Sequence, residues 1–391
     1  MSVVTLPLYL ECIGDNAFRG CLSLQMVNIP EGVRRIGVGC FFDCINMKTL
    51  NLPESNCDIK KWAFRNCKRL SVVTIPFCLE SIADFCFFGC EMLEYVIISF
   101  GTKSIGKGAF AECTNLKEIN FPNNIINISQ SCFRGCFSLK RMTFPNLLPN
   151  IDSKVQRLGN DAFHACYSLV EINLTCYPVH MLDQSCFEHC ENLETVILSK
   201  ETKELMVCCF CMCSSLKYIG YESTLNCTEK TDARLGLDLE HIDVISSSAF
   251  LDCLSLKSVR LYDNNFVRYN CFEGCFNLQK ILLPSDLPME ITSDGEKYYD
   301  FFPSNNITEL ILPSEAKNFS SSIIFYIMYK IIQRNPCLLE KTFTPEKLYP
   351  HEVVNNWLSY ECEEREIPDD AWIANILYFY IRNSPHLFKI I

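Results

Sequence analysis

The sequence predicts an open solenoid of about twelve turns, built from short parallel strands and followed by a helical segment. Three observations predict this architecture: a phenylalanine recurs at a near-constant spacing, apolar residues keep fixed distances from it, and each unit closes with an alternating apolar stretch. A single unit holds too little apolar surface to fold alone, whereas stacked units bury one continuous column.

A phenylalanine marks each turn of the predicted solenoid. The spacing between successive copies is 23 residues for the first five steps and then 30, 24, 23, 40, 22 and 29 residues. We therefore expect one structural turn per copy, with insertions in the three longest steps. The reference residues are Phe18, Phe41, Phe64, Phe87, Phe110, Phe133, Phe163, Phe187, Phe210, Phe250, Phe272 and Phe301.

Apolar residues lie at fixed distances from this repeat phenylalanine. An aliphatic residue precedes it by five positions in the first eleven turns, and apolar residues follow it by six, nine and eleven positions. The last two sites flank a more variable residue, and this alternation is typical of a short strand with one buried face. Proline often follows, as at Pro30 and Pro53, and ends the strand because it cannot donate the next ladder hydrogen bond.

Cysteines follow the same frame. Eleven of the 26 cysteines lie three positions after the repeat phenylalanine, and six lie directly before it, where five other turns place alanine. A site that accepts alanine or cysteine is a small buried apolar site. We therefore expect buried free thiols rather than a disulfide framework, and so many unpaired thiols favour a reducing compartment.

The repeat unit also resembles a known family. The pattern I-G-x-x-A-F-x-x-C-x-x-L-x-x-I-x-I-P recurs over residues 4–313 and closely resembles the leucine-rich repeat of BspA-like surface proteins. The resemblance implies a right-handed leucine-rich repeat solenoid that acts in adhesion or protein binding at the cell surface. The N-terminal sequence lacks the features of a signal peptide, which together with the unpaired cysteines favours the cytoplasm. Both locations stay open.

Composition and motifs argue against several function classes. The formal net charge of −11 argues against a nucleic-acid partner, because such a partner requires a basic surface. No apolar run reaches the roughly 18 residues of a membrane span. No metalloprotease, nucleophile-elbow or phosphate-loop motif occurs, and we expect His164 and His189 to be solvated turn residues. The sequence thus predicts a non-enzymatic scaffold that binds a protein partner and uses no cofactor.

The alternative is a metal-binding or enzymatic protein that uses the cluster Cys208–Cys213 or the C-terminal helical module. Four thiols within six residues could hold zinc or an iron–sulfur centre if they converged. In the repeat frame, Cys209 and Cys213 take inward sites, and only Cys208 and Cys211 take outward ones. Two exposed thiols make a poor tetrahedral site, so no metal site is predicted here.

The predicted partner-binding surface is the strand face, formed by the residues seven, eight and ten positions after the repeat phenylalanine. These positions are mostly polar and carry single aromatic residues, which are frequent anchors in protein interfaces. The candidate binding residues are Tyr95, Lys117, Glu118, Lys140, Arg141, Tyr218 and Arg260.

Two further features are candidates for interactions. The insertions Asn146–Leu158, Glu222–Asp243 and Asp286–Lys297 all follow a strand, so we expect them to project from one edge of the solenoid. Residues 4–12 match only the closing half of a turn. The first strand therefore lacks a cap, which indicates a self-association edge, a truncated gene model, or coverage by residues elsewhere in the chain.

The chain divides into two parts. We expect residues 1–318 to form the solenoid, because the repeat period vanishes from about Phe319 onward. Helical patterning replaces it, with a start signal at Ser320–Ser322 and a stop at Pro336. Residues 319–391 are predicted to form a helical cap over the last turn or a small separate module.

Overall fold

The computed structural model is a parallel-strand solenoid of about eleven turns, which confirms the predicted architecture. The structure describes residues 3–144, 157–222, 236–268, 270–284 and 307–311. The predicted features outside these residues are Phe301, the helical segment 319–391, most of Asn146–Leu158, most of Glu222–Asp243 and all of Asp286–Lys297.

Each turn contributes two short strands. The first strands of the chain are β1 (Val3–Thr5), β2 (Cys12–Ile13), β3 (Met26–Asn28), β4 (Arg35–Ile36), β5 (Thr49–Asn51), β6 (Asp58–Ile59), β7 (Val72–Ile75), β8 (Ser81–Ile82), β9 (Tyr95–Ile98), β10 (Ser104–Ile105), β11 (Glu118–Asn120), β12 (Asn127–Ile128) and β13 (Arg141–Thr143). They are followed by β14 (Arg157–Leu158), β15 (Glu171–Asn173), β16 (Met181–Leu182), β17 (Thr195–Leu198), β18 (Glu204–Leu205), β19 (Tyr218–Tyr221), β20 (Gly236–Asp238), β21 (Val244–Ile245), β22 (Ser258–Arg260), β23 (Phe266–Val267), β24 (Lys280–Leu282) and β25 (Glu309–Ile311).

The strands form two rows in which every pairing is parallel. The longer strands form the strand face, in the orders β1-β3-β5, β7-β9-β11-β13 and β15-β17-β19-β20-β22-β24-β25. The two-residue strands form the second row, in the orders β2-β4-β6, β8-β10-β12-β14 and β16-β18-β21-β23. Equivalent repeat positions pair, as Val27 does with Leu50. Each side chain therefore lies above its counterpart in the preceding turn.

The repeat phenylalanines stack into one continuous column inside the solenoid. Successive rings lie parallel, with centroids 5.1 Å apart between Phe18 and Phe41 and 5.7 Å apart between Phe210 and Phe250. The rings from Phe41 to Phe272 are fully buried. The aliphatic residues predicted to face inward, such as Ile36 and Val73, are buried around them. This column runs without a break past the insertions, because Phe133 also stacks on Phe163.

The backbone around each phenylalanine has a left-handed residue on either side. In each of the eleven turns with a described phenylalanine, the residues two positions before and two positions after it have positive φ, as in Asn16 (54°) and Gly20 (68°) around Phe18. Non-glycine residues such as Trp62 (63°) also take this conformation. Amide groups of the bend then donate to the next turn, as the Phe41 N–H does to the Ala63 carbonyl at 2.7 Å. These hydrogen bonds keep the bends in register.

The cysteines three positions after the phenylalanine are free and mostly buried, as predicted. Each thiol from Cys44 to Cys275 in this column also donates a hydrogen bond to the phenylalanine carbonyl of the preceding turn. The Cys113 Sγ, for example, lies 3.3 Å from the Phe87 carbonyl oxygen. Alanine cannot make this bond, which gives a physical reason for cysteine at the site. We call the repeat phenylalanines Phe18 to Phe272 and these cysteines the interior column.

The insertion Glu222–Asp243 differs from the prediction. Its described part includes β20, which lies between β19 and β22 in the strand face and therefore does not project from the edge as a loop. The second row and the interior column gain no extra member, since β18 pairs directly with β21 and Phe210 stacks on Phe250. The strand face therefore contains one strand more than the second row at this turn, which corresponds to about 4.8 Å. No helix among the described residues is long and apolar enough to cross a membrane.

Candidate functional site

Strands β7, β9, β11 and β13 place a cluster of outward side chains at the middle of the strand face. Their first residues pair in register, so Val72, Tyr95, Glu118 and Arg141 form one row across four turns. The side chains two positions further on belong to a parallel row, in which Ile97 is the exposed apolar member. The buried residues between the rows, such as Ile119, anchor the strands to the core.

An open depression of about 510 Å³ lies among these side chains. Five of the seven predicted binding residues lie together in its lining, which consists of Tyr95, Lys117, Glu118, Ser138, Lys140 and Arg141. We call these six residues, together with the flanking Val72 and Ile97, the central patch.

Backbone hydrogen bonds position the lysines of the central patch. The Lys117 N–H donates to the Glu94 carbonyl at 3.1 Å, and the Lys140 N–H donates to the Lys117 carbonyl at 2.9 Å. The Lys117 ammonium also pairs with the Glu94 carboxylate, Nζ to Oε2, at 2.6 Å, and this hydrogen bond raises the pKa of Lys117. The same ammonium lies 5.6 Å from the centroid of the Tyr95 ring. Lys117 is thereby held between two neighbours.

The remaining cations of the patch point to solvent. Within the described residues, neither Lys140 nor Arg141 has a carboxylate partner. The patch is therefore locally basic on a chain whose formal net charge is −11. Clustered charge of one sign steers a partner of the opposite sign and fixes its orientation.

Apolar side chains border this basic region. Val72 and Tyr95 are each 45% exposed, Ile97 is 56% exposed, and the strands that carry them are direct neighbours. A surface that joins an exposed tyrosine to an arginine carries residue types that are enriched among protein-interface anchors.

Two predicted binding residues lie outside the patch. Tyr218 is only 3% exposed, so the expectation that it projects outward is wrong. The extra strand β20 pairs against it at Gly236, and its hydroxyl lies 3.5 Å from the Tyr221 carbonyl oxygen. Arg260 is exposed as expected but lies on β22, where a hydrogen bond to Tyr262 raises its pKa. Neither residue lines the depression.

The thiols of Cys208–Cys213 divide between two sides of the turn. Cys209 and Cys213 are fully buried in the core, and the Cys213 Sγ donates to the Phe187 carbonyl at 3.1 Å. Cys208 is half-buried, but Cys211 is buried, which contradicts the predicted exposure. Burial also raises the pKa of Cys211 to about 12. The four thiols therefore do not form one tetrahedral set.

A different group of metal-ligating side chains comes together on the turn side. Asp161, His164 and Glu188 each offer a ligand atom, and these atoms lie within 4.8 Å of one another. His164 is half-buried rather than solvated, and its ring lies 5.6 Å from that of His189, centroid to centroid. Sequence reasoning missed this group because its members belong to two turns. Applying the repeat frame to polar positions would have aligned His164 with Glu188.

Comparison with known proteins gives a consistent family match. The profile described as BspA type Leucine rich repeat region matches in six copies, over residues 1–100, 38–153, 148–232 and 237–334. No curated protein sequence matches the chain.

Several solved structures are similar to the chain. A leucine-rich repeat protein from Bacteroides ovatus ATCC 8483 shares 26% identity, covers 73% of this chain and 82% of its own, and gives a TM-score of 0.46. A leucine rich cell surface protein from Faecalibacterium prausnitzii A2-165 shares 23% identity over 84% of this chain and 82% of its own, with a TM-score of 0.48. The leucine-rich repeat protein of T. pallidum shares 29% identity over 43% and 78% of the two chains, with a TM-score of 0.39.

Proposed function

Because the chain belongs to the BspA-type leucine-rich repeat family, we propose that it is a non-enzymatic scaffold that binds a protein partner through the central patch. The observation that carries the proposal is the depression between Tyr95 and Arg141, where three cations and exposed apolar side chains meet. Its chemistry favours a partner segment that presents carboxylates to Lys140 and Arg141 and an apolar side chain to Tyr95.

The rigidity of the scaffold supports a binding role. The side chains of the patch project from strands whose buried residues pack onto the interior column, so little backbone ordering is needed on binding. Lys117 is already held by Glu94, and its rotamer freedom is reduced before any partner arrives. Pre-organisation of this kind lets a modest patch bind with useful affinity.

A phage-displayed random peptide library, selected against the purified full chain, tests the proposal. We expect enriched peptides to combine acidic residues with an aromatic or aliphatic residue. The double variant Lys140→Glu/Arg141→Glu should weaken their binding about tenfold or more, because the charge complementarity is reversed. Isothermal titration calorimetry with the synthetic peptides gives the dissociation constants.

The matched control is Lys61→Glu/Lys107→Glu, which reverses two exposed cations three positions before the repeat phenylalanine, away from the patch. This control should leave the dissociation constants unchanged. Equal weakening by both double variants would reduce the interaction to long-range charge attraction and contradict a defined patch. Selected peptides whose binding is insensitive to both would place the binding surface elsewhere.

Self-association at the first turn is a second candidate interaction. Strand β1 forms the edge of its sheet and pairs with β3, while Leu8 and Tyr9 in the following turn are 79% and 95% exposed. A second copy that covers this edge would bury both side chains. Sedimentation velocity over a range of concentrations checks this, with Leu8→Lys/Tyr9→Lys expected to shift any dimer toward monomer. A monomer at all concentrations contradicts it.

A further inference from the structure

We propose that Asp161, His164 and Glu188 form a binding site for a zinc-type divalent cation on the turn side of the solenoid. This site is independent of the strand face and of the proposed partner binding. It also differs from the cysteine cluster, because its ligand atoms come from two carboxylates and an imidazole that lie in adjacent turns.

The distances within the group suit a metal ion. The His164 Nδ1 and the Glu188 Oε2 are 3.6 Å apart, and all three ligand atoms lie within 4.8 Å of one another. A tetrahedral zinc ion with bonds of about 2.0–2.1 Å separates neighbouring ligand atoms by about 3.3–3.4 Å. The first pair is therefore within a few tenths of an ångström of one tetrahedral edge.

A second observation points to a ligand at the same place. The His164 Nδ1 is buried and has no hydrogen-bond partner. Buried polar atoms in native proteins are nearly always satisfied, and one that is not calls for a partner. The imidazole nitrogen of histidine is a common metal ligand, so a bound ion would supply the missing partner.

The fold holds the group together through the backbone. His164 and Glu188 each follow the repeat phenylalanine of their turn, and the Ala165 N–H donates to the Glu188 carbonyl at 2.8 Å. Asp161 lies two positions before Phe163, at one of the left-handed positions, with φ of 54°. The rings of Phe163 and Phe187 stack directly beneath. Ligands on such fixed turns do not have to be gathered when the ion binds.

The types of ligand in the site determine which metal ion fits best. Cys208 in the next turn is half-buried. Imidazole and thiolate ligands favour zinc over magnesium or calcium, which prefer oxygen ligands alone. Cys208 is the candidate fourth ligand from the turn that follows Glu188.

Zinc titration of the full chain tests the proposal. The protein is stripped of metal, kept in a phosphine reductant, and titrated with zinc chloride in competition with a chromophoric chelator. We expect wild type to bind one equivalent that Asp161→Asn/His164→Gln/Glu188→Gln binds at least about 100-fold more weakly, since loss of even outer-shell partners costs 10–100-fold. Zinc should also raise the thermal unfolding midpoint of wild type and not of this variant.

The variant is designed to fold. Asparagine already takes the left-handed position equivalent to Asp161 in two other turns, at Asn16 and Asn270. A matched control, Asp58→Asn/His180→Gln/Glu171→Gln, makes the same changes at exposed sites outside the group and should keep wild-type zinc binding. If the triple variant fails to fold, Glu188→Gln alone is used, with the same expected direction.

Zinc can also bind thiols, so the test includes Cys208→Ser/Cys211→Ser. Retention of the site in this variant, with a weaker affinity, supports the proposal and gives Cys208 a secondary role. Equal zinc affinity in wild type and in the Asp161, His164 and Glu188 variant overturns it. Loss of the site in the thiol variant alone also overturns it, because the cysteines would then bind the ion without the proposed ligands.

Discussion

The interior column and the strand face are built by the same turns, yet they respond differently when a turn changes length. Across the 30-residue step the rings of Phe133 and Phe163 stay 5.3 Å apart, and across the 40-residue step those of Phe210 and Phe250 stay 5.7 Å apart. The strand face gains a whole strand over the longer of these steps. The column keeps its spacing while the face is altered.

The difference follows from packing. Stacked rings inside a close-packed interior have little freedom, because a gap or a clash is costly on both sides of each ring. Outward side chains of the strand face meet solvent and can vary at small cost. We infer that the column determines whether the chain folds, whereas outward residues of the face can change with little effect on folding. Four predictions test this division.

Alkaline pH should break the column and have the largest effect. Burial raises the pKa of Cys90 and of Cys190 from 9.0 to about 12. Below pH 9 both thiols are protonated in the native and in the unfolded state. Above pH 9 the unfolded chain loses protons that the native state keeps, so the free energy of unfolding falls as pH rises toward 12. Each fully buried thiol contributes up to about 1.4 kcal/mol per pH unit.

Urea unfolding in reductant, from pH about 8 to about 10.5, measures this loss. Lysine and tyrosine residues also titrate in this range, so the informative comparison is with Cys90→Ala/Cys190→Ala. That variant should be less stable at neutral pH but lose stability less steeply as pH rises. Parallel pH profiles for the two proteins would mean that the buried thiols do not drive the transition.

Removing one ring from the column allows a comparison with a substitution on the strand face of the neighbouring turn. Phe110 is fully buried, with ring centroids 5.4 Å from Phe87 and 5.6 Å from Phe133. Phe110→Ala should lower the free energy of unfolding by about 3–5 kcal/mol, because it leaves a cavity between two rings. Tyr95→Ala, on the exposed face, should cost only about 0.5 kcal/mol. Chemical denaturation compares the two, and equal losses would contradict the division.

Sequence periodicity was sufficient to predict the column. The repeat phenylalanine and the aliphatic positions around it obey a fixed spacing, and the structure buries them as expected. The left-handed residues on either side could not be read in the same way. Glycine takes the position two residues before the phenylalanine at Gly39, but Trp62 and Phe85 take its equivalent in other turns, so local composition hides a conformation that the stacked backbone imposes.

The strand face was harder to predict because its environment depends on more than one turn. Five candidate residues lie together as their common repeat positions indicated. Tyr218 holds an equivalent position but is buried beside β20. This strand lies in an insertion, so the repeat period of the sequence does not predict it. The group of Asp161, His164 and Glu188 was missed for a related reason, since its residues become neighbours only through stacking.

Two buried cysteines, one in the interior column and one directly before a repeat phenylalanine, should differ in importance. Cys113 donates to the Phe87 carbonyl, whereas Cys132 occupies a site where the flanking turns carry Ala109 and Ala162. Cys113→Ala should therefore destabilise the protein by about 1 kcal/mol more than Cys132→Ala, which is the net contribution of a typical hydrogen bond. Urea unfolding of both variants at neutral pH measures the difference. Equal costs would mean that the thiol at this site acts only by its volume.

The smallest effect is expected from an ion pair of the strand face. The Lys217 Nζ and the Glu194 Oε2 are 2.9 Å apart, but the two side chains are 46% and 45% exposed. Exposed pairs of this kind contribute about 0.2–1 kcal/mol, and salt screens them further. A double-mutant cycle with Glu194→Gln and Lys217→Met measures the coupling free energy at low and high ionic strength.

The backbone contact between these two residues does not depend on their side chains. The Lys217 N–H donates to the Glu194 carbonyl at 3.0 Å, and this hydrogen bond survives both substitutions, so the strand register is kept. We expect a coupling below about 1 kcal/mol that shrinks as salt is added. A coupling as large as the loss from Phe110→Ala would show that the face shares in holding the turns together. In that case the charges of the face could not vary freely with the partner, and binding would be constrained by stability.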